Sequence, residues 1–121
     1  GTVDTDVLAA NAVTFAKIGT TEQGQLCKAW VNFNGTSTVA IRASYNVSSI
    51  TDNNTGNYTV NFTNAMADAN YATVVSRALT TDTSQIVQVV NTQTTGGVSI
   101  VNSQPGVSNY DSALVCVAIF R

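Results

Sequence analysis

The sequence predicts an all-β fold, an antiparallel β-sandwich over residues 25–121 preceded by a short stalk segment over residues 1–24. Three observations predict it. Apolar and polar residues alternate with period two through most of residues 27–63, turn-forming clusters separate the alternating runs, and the last run, residues 112–120, is apolar at both parities. Successive side chains on a strand point to opposite faces, so each alternating run lays its apolar set on one side. The spacing of runs and turns suits a sandwich better than a helical or α/β fold.

The stretch 27–63 carries the clearest signal. Cys27, Ala29, Val31 and Phe33 alternate with Lys28, Trp30 and Asn32. After the turn Asn34-Gly35-Thr36, Val39, Ile41, Ala43, Tyr45 and Val47 alternate with Ala40, Arg42, Ser44 and Asn46. A second turn, Asp52-Asn53-Asn54-Thr55-Gly56, leads into Tyr58, Val60 and Phe62, separated by Thr59 and Asn61. Three such runs read as a meander with one apolar side and one wet side.

Residues 1–24 differ. Asp4, Thr5 and Asp6 are candidate caps, and Leu8, Ala12, Phe15 and Ile18 fall near helical spacing, with Gly19 as the stop. A helix this short needs neighbours to be stable, so an extended strand against those neighbours is the alternative. Residues 20–25 read as a linker. Beyond the meander, residues 64–70 are a polar connection, 71–79 a fourth strand, 85–91 a fifth and 98–102 a sixth. Residues 80–84 and 92–97 are turns, and 103–109 carries the only Pro, followed by Gly. In the seventh run, Ala113, Val115, Val117 and Ile119 point one way and Leu114, Cys116, Ala118 and Phe120 the other. Such a strand belongs mid-sheet, or between its own core and a second subunit.

Composition narrows the function. The 121 residues are one domain's worth, 44% hydrophobic and only 10% charged, against roughly 25% charged in typical soluble proteins. A surface this poor in charge is covered by partners or kept wet by amides and hydroxyls. Lys17, Lys28, Arg42, Arg77 and Arg121 are spread along the chain rather than clustered, which argues against nucleic acid and anionic membrane surfaces. No apolar run approaches the roughly 20 residues that span a bilayer, and the start shows no basic-then-apolar export signal. Cys27 and Cys116 sit in apolar settings and read as free thiols, with a disulfide between the first and last strands as the alternative.

Chemistry is scarce. The absence of histidine removes Ser-His-Asp and Cys-His catalysis and every His-ligated metal site. The Asp residues beyond the stalk, at 52, 68, 82 and 111, fall in predicted turns, where Asp commonly caps and bonds its own backbone. The loop opening at Asp52 lacks the bidentate Glu of a calcium loop, Thr63 standing in its place. No cofactor and no metal are expected. Five Asn-x-Ser/Thr triplets are ordinary in a chain so rich in Asn and Thr. Trp30 is either a sugar-stacking platform or, more simply, filler of a second core or subunit interface. Tyr110, in a loop between Asn109 and Asp111, is the better exposed aromatic.

The run LCKAWVNFNGTSTVAIRASYNVSSITDNNTGNYTVNFTNAMADANY, residues 26–71, resembles the C-terminal domain of bacteriophage tail fibres. The preceding VDTDVLAANAVTFAKI is similar to short units that recur in fibre shafts just before such tips. Residues 72–121 share only general character. The resemblance implies a homotrimeric, non-enzymatic tip, part of the virion. It attaches to the rest of the tail fibre and adheres to a bacterial surface glycan or lipopolysaccharide without inserting in the membrane. It carries over no catalytic and no receptor-contact residues, and the His-x-His metal motif of some tips is missing. The polar loops 80–84, 92–97 and 103–111 are the expected contact surface, with Thr81, Asp82, Thr94, Asn109, Tyr110 and Asp111 as candidate receptor-binding residues. A non-binding shaft or capsid-decoration module is the alternative, and a glycan-degrading tailspike, which needs a carboxylate pair, a more distant one.

Overall fold

Asn46 decides the architecture. The computed structural model describes residues 9–78, 87–103 and 108–121, without the side chain of residue 87. Asn46 has a φ of 54°, the left-handed conformation that Asn adopts more readily than most residues. The chain before it lies in one sheet and the chain after it in another. Strands β1 (Cys27–Asn34) and β2 (Ala40–Tyr45) precede the corner, and β3 (Val47–Asn54) and β4 (Asn57–Phe62) follow it. The expected three-run meander in one sheet is therefore corrected. The alternating run from Val39 to Val47 is broken at Asn46, and its last member, Val47, belongs to the facing sheet.

The corner is held by its own side chain. Asn46 Nδ2 donates to the carbonyls of Lys28 and Asn64, each at 3.1 Å. Asn46 Oδ1 accepts from the Asn64 amide at 2.7 Å, and its carbonyl accepts from the Thr63 amide at 3.1 Å. Replacing Asn46 by Ala removes three side-chain bonds and imposes a strained φ, and is expected to lower stability by about 2–4 kcal/mol. Asn46→Gly keeps the backbone freedom and lies between the two in urea unfolding.

Four more strands complete the sandwich: β5 (Ala72–Arg77), β6 (Val87–Thr94), β7 (Gly97–Ser103) and β8 (Val115–Phe120). The sheets run β2-β1-β8-β5 and β3-β4-β7-β6, with every neighbouring pair antiparallel. The fold is an all-β sandwich, as expected, with eight strands among the described residues because the corner adds one. Ala29, Val31 and Phe33 of β1, Tyr58, Val60 and Phe62 of β4, Val98 and Ile100 of β7, and Val115, Val117 and Ile119 of β8 form the core. The closing strand sits mid-sheet between β1 and β5, with Val115, Val117 and Ile119 buried and Cys116, Ala118 and Phe120 half-buried on the outer face. Cys27 and Cys116 are free thiols.

The helical segment is placed differently from its expected position. Phe15–Lys17 form a single 3₁₀ turn and Thr20–Gln23 a four-residue helix, α1, where a linker is predicted. Asp4, Thr5, Asp6 and Leu8 lie outside the described residues. Tertiary contacts override the weak helical spacing. Gln23 Nε2 donates to the Ile18 carbonyl at 2.7 Å, Lys28 donates to the Gln23 carbonyl, and the Lys28 ammonium stands 4.7 Å from the centre of the Phe15 ring. Among the described residues no helix is long and apolar enough to cross a membrane.

The strand registers give the sandwich two ends. One carries the N-terminal segment, the Asn46 corner, the connection 63–71, the β6–β7 turn and Arg121, whose guanidinium pairs with Asp68 at 2.7 and 2.9 Å. The other carries the β1–β2 and β3–β4 turns, the last residue of β5, the first of β6 and residues 108–114.

Candidate binding end and the two outer faces

At the end far from the N-terminal segment, polar groups converge behind the core. Gly56, at φ 67°, turns β3 into β4, and its amide donates to Asp111 Oδ1 at 2.8 Å. The Tyr58 hydroxyl donates to the same oxygen at 2.6 Å and lies 2.8 Å from the Gly35 carbonyl. The Gly35 amide in turn donates to the Ser112 carbonyl at 2.8 Å. Asp111 thereby joins three segments far apart in sequence. Only glycine fits at Gly56, since a Cβ there would stand 2.7 Å from the backbone nitrogen and oxygen of Tyr110.

Burial of Tyr58, followed by its hydrogen bond to the Asp111 carboxylate, raises the phenol well above the ordinary 10.0. Burial also raises Tyr71. Both phenols favour the neutral form when folded, so their stabilisation is complete below pH 10 and drains away as the unfolded chain ionises above it. Stability is expected to fall above pH 10, by up to about 1.4 kcal/mol per pH unit for each phenol. In Tyr58→Phe, urea unfolding at alkaline pH has a shallower slope.

The predicted contact residues are not brought together as one surface. Thr94 stands at the opposite end from Asn109, Tyr110 and Asp111. There its carbonyl accepts from the Tyr71 hydroxyl at 3.0 Å and its own hydroxyl donates to the Gly97 carbonyl at 3.1 Å. Thr81 and Asp82 lie outside the described residues. Asn109 is exposed, with its backbone bridged to Ser103. Tyr110 is half-buried under the Arg77 guanidinium, whose carbon sits 4.2 Å from the ring centre. Asp111 is committed to Gly56 and Tyr58.

Two groups at this end were not singled out from the sequence. The three guanidinium nitrogens of Arg77 and Nδ2 of Asn102 are buried without a hydrogen-bond partner. Arg77 shares the parity of Thr73 and Val75, and Val75 packs against the core, so an inward-facing charge was readable once the strand's inner face was known.

The outer faces differ in chemistry. On the first sheet, Trp30 pairs with both Tyr45 and Ala118, and Ala118 with Val74, so these four make one row across all four strands. Tyr45 is 58% exposed, Trp30 40% and Val74 56%. Arg42 turns away, donating to Asn32 Oδ1 at 3.3 Å and to the Ala113 carbonyl at 2.5 Å. The outer face of the second sheet is an amide and hydroxyl lattice on β3 and β4, beside the outward pair Val89 and Val101 on β6 and β7. Asn61 Nδ2 donates to Ser49 Oγ at 3.1 Å and Thr51 Oγ1 at 2.9 Å, and Asn53 Nδ2 to Asn57 Oδ1 at 3.2 Å and Thr59 Oγ1 at 2.9 Å. Water solvates the β3–β4 half of the second face more readily than the row on the first.

A groove of about 770 Å³ borders the first face at the N-terminal end, lined by Phe15, Leu26, Tyr45, Met66 and Arg121 among others. Among the described residues no cluster of three or more carboxylates, thiols or imidazoles is placed to hold a metal. No protein-family model matches the chain, and comparison with curated proteins and with solved structures gives no match.

Proposed function

We propose that this chain is the receptor-binding tip of a bacteriophage tail fibre, a homotrimer that adheres to a bacterial surface glycan or lipopolysaccharide without covalent chemistry. One observation carries the assembly half of the reading. The row Tyr45–Trp30–Ala118–Val74 runs apolar across all four strands of one sheet, while on the other sheet's outer face Val89 and Val101 adjoin a hydrogen-bonded polar lattice on β3 and β4. Three copies packing their apolar faces around an axis cover what one copy leaves open. The receptor half rests on polarity along the molecule. The N-terminal segment, read as the end of a shaft in the virion, lies at one end, and Asn109, Tyr110 and Asp111 at the other.

Single weak sites at such an end gain strength through repetition, because several tips engage one repeated surface. A purely structural module is the second reading, and the internal commitments of Asp111 and Tyr110 favour it. Adsorption of the isolated chain to host and non-host cells decides between them. Selective adsorption supports the receptor reading, and equal or absent adsorption to both supports the structural one.

A further inference from the structure

We propose that Arg77 and Asn102 form a site for the oxyanion of an acidic sugar, a carboxylate or a phosphate, at the end of the sandwich far from the N-terminal segment. Arg77 is the last residue of β5 and points inward, opposite the fully buried Val115. Asn102 is fully buried on the inner face of β7, in parity with Val98 and Ile100. The two residues therefore face inward from opposite sheets at the same end, with Tyr110 between them. The Tyr110 ring underlies the guanidinium, and its amide donates to the Asn102 carbonyl at 3.2 Å.

The donor balance at this point is one-sided. The guanidinium carbon lies 4.2 Å from the centre of the Tyr110 ring, a contact that supplies its N–H groups with no oxygen acceptor. All three of its nitrogens are buried without a partner, and so is Asn102 Nδ2. Gln88 Nε2 donates to Asn102 Oδ1 at 3.2 Å, which fixes the amide with its donor side free. A buried, unpaired cation is among the least favourable groups a fold can keep. A planar fork of N–H donors beside an amide N–H is the complement of a carboxylate or phosphate, and poorly suited to a neutral hydroxyl. Withdrawal from bulk water strengthens the attraction to such an anion.

The ligand class rests on the receptor reading above, since an acidic sugar is what a bacterial surface glycan supplies to such a fork. The test uses the whole chain and three probes at equal ionic strength: glucuronic acid, glucose 1-phosphate and neutral glucose. The two acids are expected to raise the thermal midpoint and glucose to leave it unchanged. Whichever acid gives the larger rise identifies carboxylate or phosphate as the preferred group. Arg77→Met should move two readouts in opposite directions. The midpoint of the sugar-free protein rises, because an unpaired buried charge is replaced by an apolar stem, while the response to both acids disappears. Arg77→Lys keeps the charge without the fork and weakens acid binding at least about tenfold.

A fall in the sugar-free midpoint of Arg77→Met with no response of the wild type to either acid overturns the proposal, because the guanidinium is then paired within the chain. Host-cell adsorption separates this inference from the reading beneath it. Adsorption that persists in Arg77→Met sinks the acidic-sugar site and leaves the receptor reading standing. A response to acids with no selective adsorption keeps the site and sinks the receptor reading.

Discussion

Replacing Val117 by Asp is expected to unfold the protein. Val117 lies mid-strand in β8, only 2% exposed, between β1 and β5. The substitution forfeits about 1.5–3 kcal/mol of aliphatic burial. It also places a carboxylate among Val31, Val75 and their neighbours, where no donor waits, at a further cost of several kcal/mol. The sum approaches the roughly 5–15 kcal/mol that holds a typical domain together. Circular dichroism and urea unfolding at neutral pH should show loss of the cooperative transition. At a pH low enough to protonate the new carboxyl, part of the structure is expected to return. A folded Val117→Asp protein at neutral pH would mean that β8 is not central.

One residue further along the same strand the expected outcome reverses. Ala118→Glu leaves the single chain folded, within about 1 kcal/mol of the wild type, because its side chain points out of the sandwich. What it is expected to break is the proposed trimer. Ala118 stands between Trp30 and Val74 in the apolar row, so packing three copies there would bury three carboxylates without partners. Each carries a penalty of several kcal/mol, enough to shift a trimer to monomers at micromolar concentration. Native mass measurement and light scattering read this directly. A trimer that survives Ala118→Glu has its interface elsewhere, and a monomeric wild type ends the trimer proposal. The neighbouring pair thus separates folding from assembly by side-chain parity alone.

The same parity explains how much was legible beforehand. Alternation from Cys27 to Phe33 and from Tyr58 to Phe62 named the buried faces of β1 and β4 correctly, since Ala29, Val31, Phe33, Tyr58, Val60 and Phe62 are all core. Period two is a property of an extended backbone and needs no tertiary knowledge. The doubly apolar character of β8 allowed a mid-sheet strand or one shared with a second subunit, and the strand order puts it mid-sheet. Asn46 escaped because a single left-handed residue redirects the chain without marking the sequence pattern. Its signature, Asn between Tyr45 and Val47, is too common to read as a corner. The bulge at Arg42 escaped too, and it turns Ala43 and Tyr45 to the outer face although Ile41 pairs with the core Phe33.

The candidate site was less legible. In the sequence Tyr110 and Asp111 read as loop residues free to meet a ligand, yet Asp111 is a latch for Gly56 and Tyr58, and Tyr110 is a platform for Arg77. Thr94 shared a loop-like composition with them but belongs to the other end. Loop chemistry can be read from residue types, whereas which loops share an end depends on strand order. Arg77 and Asn102 lay inside runs read only as strands, and their missing partners are visible only when every neighbour is in place.

By itself the sequence determined the all-β class, the turns at 34–36, 52–56 and 92–97 to within a few residues, the inner faces of β1 and β4, the doubly apolar character of β8, and the exclusion of histidine-dependent chemistry. These follow from local rules: the two-residue repeat of a strand, the backbone demands of turns, and the absence of a residue type. Tertiary structure alone decided that the chain crosses between sheets at Asn46, that helical structure sits at Thr20–Gln23, that Thr94 and Tyr110 lie at opposite ends, and that the Arg77 guanidinium and the Asn102 amide face inward at one end. Apart from the short helix, each of these depends on contacts between residues far apart in the chain, and no local pattern encodes which distant groups will be left facing one another.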